Sequence, residues 1–152
     1  MQSINRVAQF FEDTLELIPE DEVTVARLVK VLQHSYLTAE GQCESSLLVT
    51  MENGFKLLVG ILQTSPRCLL FSASFGLRSD APEIDKLHLV NDLNCHAFRV
   101  RFSMRDAETL VADNMLPYVN GLPPRQFVSE LRTFIESAVF NLRERDDANL
   151  VS

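Results

Sequence analysis

The sequence predicts an α+β fold in which an antiparallel five-stranded sheet carries helices mainly on one face. Three observations lead there. Asn53-Gly54 stands between two apolar runs, the strongest short hairpin signal in the chain. Phe98, Val100, Phe102 and Met104 alternate with Arg99, Arg101 and Ser103, the period of two that a strand with one wet face requires. Finally, the strands fall into groups instead of alternating one by one with helices, which favours an antiparallel layer over a doubly wound parallel one. The element order read from the chain is α-α-β-β-β-α-β-β-α.

In the first helix, over Ser3 to Leu17, Ile4, Val7, Phe11, Leu15 and Ile18 recur at spacings of three and four, and Pro19 ends the pattern. This segment reads as an N-terminal helical extension, residues 1–20, to a domain spanning 21–145. The second helix runs from about Glu22 to Ser35 on an apolar face of Val25, Leu28, Val29 and Leu32, with Asp21 and Glu22 at its positive end. Thr38 to Ser46 is polar, contains Gly41 and reads as a loop.

Leu47 to Met51 and Phe55 to Leu62 are the hairpin strands, and Asn53-Gly54 suits the two positive φ angles of a type I′ turn. Thr64-Ser65-Pro66-Arg67 turns the chain into a third strand, Cys68 to Phe75, with Leu69, Phe71, Ala73 and Phe75 on one face. The central helix is expected to open with a capping box, Asp80 with Glu83, and to show Ile84, Leu87, Val90 and Asn91 on one face up to Asn94. In the last hairpin, a loop of Asp106-Ala107-Glu108 sets Met104 opposite Leu110, Phe102 opposite Ala112 and Arg101 opposite Asp113.

Asn120-Gly121-Leu122-Pro123-Pro124 is a rigid turn whose prolines open the final helix, where a missing N–H costs little. Phe127, Leu131, Phe134, Ile135, Ala138, Val139 and Leu142 then follow at helical spacing. The tail, 146–152, has little apolar content and is expected to fray.

With 152 residues the chain suits a single domain. Its net charge of −7, with no compensating Lys/Arg cluster, disfavours nucleic acid as a partner. No stretch reaches the length of a membrane helix or a signal-peptide core, and three widely spaced cysteines, Cys43, Cys68 and Cys95, fit a reducing cytoplasm better than a disulfide framework. Paired metal-ligand spacings and glycine-rich phosphate cradles are both missing from the sequence, so no cofactor or metal is expected. Cys95-His96 is the one pair that invites a catalytic reading, but sequence neighbours usually point apart, and local packing is the simpler role.

The second hairpin strand is apolar on both sides: Leu58 and Leu62 face away from Phe55, Leu57, Val59 and Ile61. Together with Leu48 they form a candidate protein-contact patch, unless a crossing helix or terminus covers them.

The layout resembles the YbjN-type family of bacterial sensory transduction regulators. The resemblance is carried by Leu69-Leu70-Phe71-Ser72-Ala73, Leu89-Val90-Asn91-Asp92-Leu93-Asn94, Phe98-Arg99-Val100-Arg101-Phe102, Thr109-Leu110-Val111-Ala112, and Gly121-Leu122 leading to Phe127. It implies a fold like that of type III secretion chaperones. It further implies a non-enzymatic cytoplasmic domain that binds other proteins and is linked to stress responses, motility or surface traits. A homodimer is expected, and the alternative function is a dedicated type III secretion chaperone for one effector. The resemblance brings no set of functional residues with it, and Ser3 to Ile18 looks like an addition to the usual domain.

Overall fold

The computed structural model describes residues 16–151. The helix expected over Ser3 to Leu17 therefore lies almost wholly outside the described residues. Among those described are three helices, α1 (Val25–His34), α2 (Glu83–His96) and α3 (Pro124–Arg145). Six strands accompany them: β1 (Thr38–Cys43), β2 (Ser46–Thr50), β3 (Lys56–Leu62), β4 (Cys68–Gly76), β5 (Arg101–Asp106) and β6 (Thr109–Pro117). They form one sheet in the order β1-β2-β3-β4-β6-β5. The α+β class holds, but the sheet has six strands and not five.

The additional strand is β1, where the sequence suggests a loop. It pairs antiparallel with β2, Ala39 opposite Val49 and Gly41 opposite Leu47. Only Ala39 of its six residues is buried, so no alternation marks it. Gly41 belongs in the strand because α1 packs closely over it: a Cβ there would lie 3.1 Å from Val25 Cγ1.

The chain forms two compact units, and β4, β6 and α3 contribute residues to both. The first unit comprises the described residues up to Leu70 together with Met115–Leu131. Its sheet buries Leu47, Val49, Leu57, Val59 and Leu69, while α1 buries Leu28, Val31 and Leu32. The acids before α1 form a short 3-10 turn, Glu20–Glu22, and do not enter its first turn. Thr24 caps instead, its Oγ1 accepting from Arg27 N–H at 3.3 Å.

Ile18, expected to close the leading helix, is a core residue. It forms an antiparallel bridge with Leu122, Ile18 N–H donating to Leu122 O at 3.0 Å and Leu122 N–H to Ile18 O at 2.7 Å. Glu20 strengthens this attachment, for its Oε1 accepts from Asn120 N–H and its carbonyl from the Arg67 guanidinium. The β2–β3 turn also differs from expectation. Gly54 has φ +80 but Asn53 does not have a positive φ, so Glu52-Asn53-Gly54 make a three-residue loop with a left-handed glycine, not a type I′ turn. Asn53 Oδ1 accepts from Phe55 N–H and fixes it.

The second unit comprises Phe71–Asn114 and the chain from Arg132 onward. Phe71, Phe102, Phe134, Leu93 and Leu110 are its large buried side chains, with the Phe71 and Phe134 rings 5.9 Å apart. The β5–β6 register agrees with the sequence reading in all three pairs, and Arg101 meets Asp113 at 2.9 Å. The loop between them is tighter than expected, because Asp106 pairs with Thr109 and a bulge falls between Met104 and Asp106.

Three expectations fail in this unit for local reasons. No capping box forms at α2: Pro82 is the N-cap, and the Asp80 carboxylate is taken by Arg78 at 2.6 and 3.0 Å, which also holds its pKa down. The strand starts at Arg101, since the left-handed φ of Arg99 breaks the alternation and leaves Phe98 81% exposed. The tail does not fray, for Leu150 is buried, Val151 bridges Leu77, and Asp146 accepts from the N–H groups of Leu150 and Val151.

Asn94 closes an exposed edge. β5 lies at the end of the sheet, and Asn94 of α2 donates from Nδ2 to Phe102 O and accepts at Oδ1 from Phe102 N–H, both at 2.8 Å. One side chain thus stands in for the next strand. Asn94→Ala should cost about 1–3 kcal/mol in urea unfolding, because two part-buried backbone groups lose their partners. Asn94→Asp, which keeps only the acceptor half, should not restore it.

Candidate protein-contact surface

Antiparallel pairing alternates side chains between the two faces of β2 and β3. Leu57, Val59 and Ile61 are buried, so Lys56, Leu58, Gly60 and Leu62 point the other way. Leu48 lies directly opposite Leu58, and Glu40 opposite Leu48. The three leucines singled out from the sequence therefore share one face: Leu58 is 40% exposed, and Leu48 and Leu62 are half-buried.

The strip extends further than the sequence suggests. A Cβ on Gly60 would lie 3.8 Å from Leu70 Cβ, which places Leu70 beside Gly60 on the same face. Tyr118 N–H donates to Arg67 O at 3.1 Å, and counting inward from this bond sets Met115, 51% exposed, across from Leu70. Leu48, Leu58, Leu62, Leu70 and Met115 thus form an apolar strip over four strands, with Glu40 and Lys56 at its margin and the side-chain-free Gly60 in its middle. Leu70 and Met115 escape the sequence reading because β4 and β6 are neighbours only in the folded sheet.

Such a strip can exclude water from an apolar partner, with the charges of Glu40 and Lys56 kept to its margin. Elsewhere, His96 turns its Nδ1 toward Asp92, 2.9 Å from the carbonyl oxygen and 3.3 Å from Oδ1. Cys95 is exposed. A depression of about 360 Å³ in the second unit is lined by Asp85, His88, Asp92 and Asp146, among others. The Asp146 carboxylate is already engaged by two backbone N–H groups, and among the described residues no three His, Cys, Asp or Glu side chains are arranged to hold a metal ion.

Cys43 differs from the other thiols. At the end of β1 its Sγ lies 3.0 Å from Ser46 Oγ and 3.6 Å from Ser45 Oγ, and hydroxyl and backbone donors favouring the thiolate lower its pKa to about 7. Iodoacetamide should label Cys43 with a rate that rises through pH 7 and levels off about one to two units above it. Ser46→Ala, which removes the first of those donors, should move that midpoint upward; mass-spectrometric labelling against pH reads both.

Among the described residues no helix is long and apolar enough to cross a membrane. A family model matches residues 24–139, that of YbjN, described as "Putative bacterial sensory transduction regulator". No curated protein matches the chain. A solved structure titled "Crystal structure of YbjN, a putative transcription regulator from E. coli" is similar in fold, with a TM-score of 0.66 and 18% identity over 84% of this chain and 95% of that one.

Proposed function

The chain belongs to the YbjN family, and from that premise we propose that it is a non-enzymatic regulatory or chaperone-like domain of the bacterial cytoplasm that works by binding another protein. The observation that carries the proposal is the apolar strip around Leu58. Burying a leucine stabilises a protein by about 1.5–3 kcal/mol, and a sheet face that leaves several partly uncovered holds that gain in reserve for association. The occupant best suited to a long, shallow strip is an extended polypeptide laying alternate apolar side chains on it, as a secretion chaperone holds its client. Three free cysteines suit a reducing compartment.

A pull-down with the double variant Leu58→Ser, Leu62→Ser tests this. Both side chains face outward, so thermal unfolding should stay within a few degrees of the parent protein. The proteins that the parent retains from the source cytoplasm should be lost by about tenfold or more. Undiminished capture by a folded double variant would remove the strip from the function.

A further inference from the structure

The strip around Leu58 lies in the first unit, and so does the point where the chain enters that unit. The entry is fixed. Ile18 bridges Leu122, and the Glu20 carbonyl accepts from the Arg67 guanidinium at 3.0 Å, which holds the chain beside the start of β4. Leu70 stands a little further along β4, about 10 Å from Arg67, with Met115 next to it on β6. Ahead of a bend at Glu16, the sequence repeats Ile4, Val7, Phe11 and Leu15 at spacings of three and four, while Asn5, Gln9, Glu12 and Asp13 fall on the other side of the same helical pattern.

We propose that Ser3 to Leu15 covers this strip in the absence of a partner, lying as an amphipathic helix that runs from Met115 and Leu70 toward Leu58 and Leu48. The dimensions agree: as a helix the segment is about 20 Å long, and the strip is about 14 Å across from β6 to β2. The relief of the strip agrees too. Gly60 lies between Leu58 and Leu62 on β3 and has no side chain, so a helix can settle closely over the middle. The inner face of the same sheet is already filled, for Leu47, Val49, Leu57, Val59 and Leu69 are buried there. A further amphipathic element therefore has the outer face left to pack on. A partner reaches Leu58 by displacing the segment, which makes capture self-limiting; this regulation rests on the binding role proposed above, whereas the contact itself does not.

In the full chain carrying Cys43→Ser and Cys95→Ser, which remove the two exposed thiols, the rate at which iodoacetamide alkylates Leu58→Cys reports the cover. Adding Val7→Glu and Phe11→Glu should raise that rate about tenfold or more while thermal unfolding remains cooperative. Register is read by oxidation in the same background: Val7→Cys should couple within one chain to Leu58→Cys and not to Met115→Cys, which lies near the fixed end of the segment. Equal alkylation rates with and without the Val7 and Phe11 substitutions overturn the proposal. Coupling of Val7→Cys to Met115→Cys in preference to Leu58→Cys does the same. Faster alkylation with no gain in capture of the proteins that the parent retains keeps the contact and overturns its regulatory role, so a fault in the binding role shows separately from a fault in the cover.

Discussion

Replacing Gly121 by alanine should lower the unfolding free energy by about 2–4 kcal/mol. At φ +117 this residue occupies backbone space that L side chains rarely enter. A Cβ there would stand 2.8 Å from the backbone oxygen of Ile18 and 2.9 Å from Leu17 Cγ. Leu17 can swing aside. Ile18 cannot, because its carbonyl accepts from Leu122 N–H in the bridge that fastens the N-terminal segment to its unit, and its side chain is buried. Relief of the clash must therefore open that bridge. Gly54 provides the comparison: its φ is also positive, at +80, but a methyl group there would meet nothing within 4 Å. Gly54→Ala should cost only the conformational term, about 1 kcal/mol. Urea unfolding of the two variants reads the difference, and equal losses would mean that the Ile18 contact is irrelevant.

Whether an element could be read from the sequence depended on whether its side chains reported its surroundings. In β4, Leu69, Phe71 and Ala73 are buried on the face that the alternation names, and α3 buries Phe127, Leu131, Phe134, Ile135, Ala138 and Leu142 as their spacing requires. The β5–β6 register followed from matching apolar to apolar across a short loop. Where a strand's environment was set by distant chain, the pattern was silent. Gly41 reads as a loop residue until Val25 of α1 is seen above it. The capping box at Asp80 was plausible locally, yet Arg78 bound the same carboxylate more directly. On α2 the apolar residues Ile84 and Leu87 drew the eye to the wrong side, since the buried stripe has a lysine in it. The contact strip was half legible: Leu48, Leu58 and Leu62 follow from two neighbouring strands, whereas Leu70 and Met115 join only through sheet order.

That lysine yields the second large effect. Lys86 is 3% exposed, and its Nζ donates to Ala107 O at 2.7 Å, tying α2 to the turn between β5 and β6. Ala107 is itself exposed, so its carbonyl can turn to water when the ammonium is removed. Lys86→Met, of similar length and apolar, should therefore change stability by less than about 1.5 kcal/mol. Lys86→Glu should cost about 3–5 kcal/mol at pH 7, because it points an ionised carboxylate at a carbonyl oxygen from a buried position. Burial raises the folded-state pKa of the introduced carboxyl above its unfolded value of about 4.3. Below that value the group is neutral in both states, and its O–H can donate to Ala107 O. The penalty then develops as pH rises through the window between the unfolded and folded values. Urea unfolding of Lys86→Glu against the parent at pH 4 and pH 7 should show the gap widen at the higher pH; a gap independent of pH would mean that the side chain had escaped to solvent.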